Sequence, residues 1–146
     1  YVIGYFQNYS FLKESIDSIQ QQFTLAPEVD AEMRSLSSYQ VINQHVNTIA
    51  VHIRRGDSVT NANASAFHGL CDVEYYKKSI ELITARTTDP KFVFFSDDIN
   101  WVKETFSWVP DAYFVENAGS TSSAVDMYLM SLCKHNIIAN STYSWW

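Results

Sequence analysis

The chain has 146 residues, 47% of them hydrophobic, 15% aromatic and 18% charged, with a formal net charge of −6. That length supports one domain with a real core, since chains of about 150 residues bury about 68–70% of their unfolded surface. The composition excludes disorder and disulfide-rich miniature folds, and the acidic balance, without a Lys/Arg-rich block, argues against a nucleic-acid partner. No apolar run reaches the roughly 20 residues of a membrane span, and no signal-peptide pattern opens the chain. Cys71 and Cys133 lack zinc-ligand spacing and read as free thiols, a disulfide between them being the unsupported alternative. The start without Met and the stop at Trp145-Trp146 predict a fragment of a longer protein, with any membrane anchor lying outside it.

Residues 1–46 read as helical. Phe11, Ser15, Ile19 and Phe23 share one face of a first segment, and a second runs from Pro27 through Val41, Ile42 and His45. From residue 47 the pattern changes to short continuous apolar runs alternating with amphipathic stretches. Strands are predicted at 48–53, 91–95, 112–115 and 136–139, apolar on both faces as in buried parallel strands. The intervening helices carry the stripes Val73-Tyr76-Ile80-Ile83, Ile99-Val102-Phe106 and Val125-Leu129-Leu132. Asp72, Ser96-Asp97 and Ser122-Ser123 mark their starts. The expected fold is α/β, an open, doubly wound, Rossmann-like parallel sheet, and residues 58–70 have the composition of a lid loop.

In such a sheet ligands bind beyond the carboxyl ends of the strands. That rule selects His52-Ile53-Arg54-Arg55-Gly56-Asp57, Ser96-Asp97-Asp98, residues 116–120 and Asn140-Ser141-Thr142-Tyr143-Ser144. Two arginines at the end of a buried strand call for an anion, and guanidinium forks grip phosphate oxygens bidentately. A salt bridge to Asp57, Asp97 or Asp98 explains one arginine more easily than two. Ser141, Thr142 and Ser144 are three hydroxyls where a helix cap needs one, which suggests a phosphate cradle. Asp126 either accepts the paired N–H donors of a guanine edge or lies on a solvated helix face. His52 is either a satisfied core residue or a site residue beside the arginines.

His52-Ile53-Arg54-Arg55-Gly56-Asp57, Phe95-Ser96-Asp97-Asp98 with Trp101, and the run from Asp126 through His135-Asn136-Ile137-Ile138-Ala139-Asn140-Ser141-Thr142-Tyr143-Ser144-Trp145-Trp146 together resemble the α-1,2-fucosyltransferases, glycosyltransferase family 11. Gly4-Tyr5-Phe6-Gln7-Asn8-Tyr9 resembles that family's lead-in. The resemblance implies inverting transfer of fucose from GDP-fucose to the 2-hydroxyl of a galactose on a glycan acceptor, with no metal or cofactor, on a two-domain GT-B scaffold. Residues 47–146 would be the donor-binding half, cut short at its C-terminus, and residues 1–46 part of the acceptor side or interdomain region. It further implies that Arg54 holds the β-phosphate with Arg55 in support, that His52 and Asp126 contact the guanosine, and that Ser96, Asp97, Ser141, Thr142 and Ser144 complete the donor site. Asp57 is the nearest carboxylate for a general base. A bacterial protein of this kind would work in the cytoplasm or peripherally on the membrane, a eukaryotic one in the Golgi behind an anchor. The competing readings are a truncated GDP-sugar-binding module without turnover and a metal-dependent phosphoester hydrolase built on Asp97 and Asp98.

Overall fold

The computed structural model describes residues 8–55, 71–116 and 123–146. Four parallel strands, β1 (Thr48–Ile53), β2 (Lys91–Ser96), β3 (Tyr113–Phe114) and β4 (His135–Ile137), form one sheet in the order β3-β2-β1-β4. Eight helices accompany them among the described residues: α1 (Tyr9–Leu12), α2 (Ile16–Gln22), α3 (Pro27–Ser35), α4 (Ser37–Gln44), α5 (Val73–Thr84), α6 (Ile99–Thr105), α7 (Ser123–Leu132) and α8 (Thr142–Trp145). The α/β, Rossmann-like expectation holds.

The pleat of the two central strands builds two cores. Successive side chains of a strand point to opposite faces. Ile49, Val51 and Ile53 of β1, with Phe92 and Phe94 of β2, pack on one face against Tyr76 and Ile80 of α5 and Val102 of α6. Ala50, Val93 and Phe95 pack on the other face against Met33 of α3, Ile42 of α4 and Val125, Leu129 and Met130 of α7. Helices on both faces explain why β1 and β2 carry unbroken apolar runs. The expected division at residue 46 crosses the second core, because Met33 and Ile42 lie in it.

Several predicted details change. The helix expected from Pro27 to His45 is two helices, broken where Leu36 is extended at ψ 143°. The first segment is likewise divided into α1 and α2, and its stripe is not a buried one, since Phe11 is 75% exposed. On α7 the buried face runs through Val125, Leu129 and Met130 to Cys133, whereas Leu132 points outward. Strands β3 and β4 are shorter than expected, and His135 and Asn136 are exposed because β4 pairs with β1 alone among the described strands. The cap of α6 is Asp98, one residue past the expected Ser96-Asp97, while Asp72 caps α5 as predicted, accepting from Tyr75 N at 2.7 Å. Ser122 and the expected lid loop at 58–70 lie outside the described residues. Cys71 and Cys133 are both free thiols, with burial pushing Cys133 up to about 11. No described helix is long and apolar enough to cross a membrane.

Candidate functional site

The chain runs outward from β1 to β2 and β3 and then returns to place β4 on the other side of β1. Sheets of this kind bind ligands at the carboxyl ends of the strands where that reversal opens a crevice. Here β1 and β2 are in register to their last pair, Ile53 with Ser96, so the segments that follow leave the sheet at one level. A cleft of about 280 Å³ lies there, lined by His52 of β1 and Arg54 just after it, Phe95 and Ser96 of β2 and Asp97 just after it, Ser123 and Asp126 of α7, and Ser141 and Tyr143 around the start of α8.

The alternation that built the cores also sorts the site. His52 and Arg54 continue the face of Ala50 and line the cleft under α7. Arg55 continues the face of Ile53 and meets α6. Its backbone N–H donates to Asp97 Oδ1 at 2.9 Å, its Nε to Asp98 Oδ2 at 3.2 Å, and its Cζ lies 3.6 Å over the Trp101 ring. The ion pair foreseen for one arginine is therefore made by Arg55. The premise of two buried, uncompensated charges fails, since Arg54 is exposed and Arg55 is paired. Arg54 is an exposed cation that lines the cleft.

His52 is 8% exposed, and its Nδ1 is buried without a hydrogen-bond partner among the described residues. Its ring stands 5.2 Å from that of Tyr143, and its carbonyl accepts from Tyr76 Oη at 3.1 Å. Burial, with a smaller contribution from the Arg54 charge and against the opposing pull of Asp97, lowers its pKa to about 4. The imidazole that lines the cleft is therefore uncharged near neutral pH. Tyr143 stays protonated, raised first by burial and then by the Asp126 charge, and donates to the Ser123 carbonyl at 2.6 Å. It thereby ties α8 to α7 and forms the cleft wall, a role the sequence reading did not give it.

The depressed pKa has a consequence for folding. Below pH 6.5 the unfolded chain gains a proton on His52 that the folded chain refuses until about pH 4, so this residue's contribution is complete above pH 6.5 and is lost as pH falls toward 4. The expected loss between pH 7 and 4.5 is about 2–3 kcal/mol. Urea denaturation of wild type and His52→Gln at both pH values isolates it. Equal pH dependence in the two proteins would refute the assignment.

Of the other expected site residues, Asp126 lines the cleft, half-buried in the first turn of α7, as do Ser96 and Asp97. Ser141 lines it too while capping α8, accepting from Tyr143 N at 3.3 Å. The three-hydroxyl cradle is not assembled in this cleft. Thr142 is exposed outside it, and Ser144 Oγ is turned to the carbonyls of Ala139 and Ser141 at 3.4 and 3.5 Å. Asp57 lies outside the described residues. No three His, Cys, Asp or Glu side chains among the described residues stand close enough to hold a metal ion.

A cation, carboxylates, a hydroxyl and a neutral imidazole thus converge on one cleft at the sheet's reversal point. The family model for glycosyl transferase family 11 matches residues 1–146. The chain belongs to this family. It is 42% identical over 146 residues to an O-antigen biosynthesis glycosyltransferase of Escherichia coli (WbnK), covering 99% of this chain and 48% of that protein. It is 40% identical to an alpha-1,2-colitosyltransferase of Escherichia coli, over 99% of this chain and 49% of that protein. A galactoside 2-alpha-L-fucosyltransferase of Mus musculus (Sec1) is 31% identical, over 98% of this chain and 40% of the relative. The chain therefore spans about half the length of the curated relatives it matches. No solved structure matches it.

Proposed function

We propose that this chain forms the donor-binding part of an inverting, metal-independent α-1,2-fucosyltransferase that moves L-fucose from GDP-fucose to the 2-hydroxyl of a galactose on a glycan. The observation that carries the reading is the convergence of Arg54, His52, Asp126 and Ser141 on the cleft at the carboxyl ends of β1 and β2, beside α7 and the start of α8. Arg54 supplies charged donors for diphosphate oxygens, and the Ser141 hydroxyl adds a neutral one. Asp126 supplies two acceptor oxygens for the paired N–H groups of guanine, with the neutral His52 ring beside them.

The chemistry asks these groups to stabilise departing GDP. As the bond to fucose breaks, negative charge grows on the β-phosphate, and a guanidinium fixed at that point is favoured more in the transition state than in the ground state. The acceptor hydroxyl must also lose a proton, and Asp57 of the arginine segment is the residue proposed to take it.

The phosphoester-hydrolase reading is weaker, because Asp98 is already shared between Arg55 and the cap of α6. Transfer of a colitosyl group is a second reading, favoured by the 40% identity to the alpha-1,2-colitosyltransferase. Calorimetric titration of the protein with GDP-fucose, GDP-mannose and a GDP-colitosyl donor in EDTA tests the proposal. GDP-fucose is expected to bind most tightly with the chelator present. A requirement for a divalent ion, or tighter binding of a different sugar nucleotide by the full-length protein, would overturn it.

A further inference from the structure

The two arginines are neighbours in sequence, yet only Arg54 lines the cleft. Arg55 is held from three sides. Its guanidinium is stacked on Trp101 at 3.6 Å and bonded to Asp98 at 3.2 Å, and its backbone N–H is bonded to Asp97 at 2.9 Å. These partners are themselves fixed. Asp98 uses one carboxylate oxygen to cap α6 through Trp101 N at 3.3 Å and the other for Arg55, and its own N–H donates to Ser96 Oγ at 3.0 Å. Trp101 packs edge-on against the fully buried Phe106.

The result is a rigid strap from the segment after β1 to the segment after β2. A guanidinium is planar and stacks face to face on an indole, a geometry that a lysine ammonium does not reproduce. The strap closes one residue past Arg54, so it fixes the backbone from which Arg54 projects.

Resting on the donor-site reading above, we propose that Arg55 is a positioning residue: clamped by Trp101 and Asp98, it sets where Arg54 stands in the cleft and does not itself hold the donor phosphate. Displacement of a binding group by an ångström costs up to about 10²-fold in rate, so the clamp carries a measurable share of turnover without touching substrate.

The test measures kcat and KM for GDP-fucose in the full-length protein, with GDP affinity alongside. Arg55→Ala and Trp101→Leu are each expected to lower kcat/KM by about tenfold, mostly through kcat. Trp101→Phe, which keeps a ring face, is expected to recover most of the loss. Asp98→Asn keeps a good helix cap and removes the charge, so it probes the clamp with α6 intact and serves should Trp101→Leu fail to fold. The deciding comparison is in the Arg54→Ala background, where Arg55→Ala and Asp98→Asn are expected to cause no further loss, because the clamp acts through the missing side chain. A further tenfold loss there on Arg55→Ala, with Trp101→Phe and Asp98→Asn as active as wild type on their own, would show direct phosphate binding by Arg55 and overturn the proposal. Arg54→Ala retaining wild-type affinity and turnover would instead overturn the donor-site reading, and this inference with it.

Discussion

Replacing Arg54 with alanine is expected to lower kcat/KM for fucosyl transfer by about 10²–10³, the loss seen when one preorganised donor to a developing oxyanion is removed. The argument starts from position. Arg54 follows a strand buried along its whole length, projects on the face that α7 covers, and lines the same cleft as Asp126 and Ser141. Within that cleft it is the only side chain with a permanent positive charge among the described residues. Since Arg54 is exposed, its removal opens no cavity, and folding stability is expected to stay within about 0.5 kcal/mol of wild type. A transfer assay with a galactose-terminated acceptor, paired with urea denaturation, separates these effects. Full activity in a folded Arg54→Ala protein would remove Arg54 from the mechanism.

The second large effect concerns the core beneath the site. Phe106→Ala is expected to destabilise the protein by about 3–5 kcal/mol, a large fraction of the roughly 5–15 kcal/mol typical of a domain. Phe106 is fully buried, and its ring lies within 5.4 to 6.2 Å of those of Phe94, Tyr76, Trp101 and Trp108. Truncation removes a partner from each of these contacts at once, and the surrounding sheet and helices are too firmly packed to close the gap. Chemical denaturation reads the change directly. A loss under 1 kcal/mol would mean that α5 and α6 collapse into the space. Phe106→Leu, which keeps much of the volume, is expected to cost less.

How far the sequence foretold this arrangement depends on what held each element. Strand β1 lies where its unbroken TIAVHI run predicted, and β2 extends one residue beyond its forecast, because two-sided burial leaves a plain apolar signature. Helix α5 was equally plain, with Asp72 at its start and Tyr76 and Ile80 beneath it. The break at Leu36 was not visible, since helix-compatible residues flank it and the two halves are set by packing of Met33 and Ile42 on the sheet. Strand order is also hidden in a linear pattern, because each crossover can place the next strand on either side of β1. The strand-end rule picked out His52, Arg54, Ser96, Asp97 and Ser141, which line one cleft, and Asp126, read from its place on the last full helix, lines it too. It did not separate Arg54 from Arg55, although the period-two alternation running back to Ile49 was available to do so. Tyr143 escaped notice because its role depends on a contact with Ser123, twenty residues away.

The level ends of β1 and β2 bring two basic residues, Arg54 and Arg55, opposite two acidic ones, Asp97 and Asp98, and Asp126 adds a further negative charge at the cleft. The rim is thus close to electroneutral before any ligand arrives, on a chain whose net charge is −6. Such a surface does not draw in an anion from a distance, since long-range attraction follows the summed field and not a single guanidinium. A doubly negative nucleotide sugar would reach the cleft by unassisted diffusion and be recognised only within about a Debye length, roughly 8 Å at physiological salt. Added salt would then weaken the hold on the bound donor while, by screening the net negative charge of the chain, slightly speeding its capture.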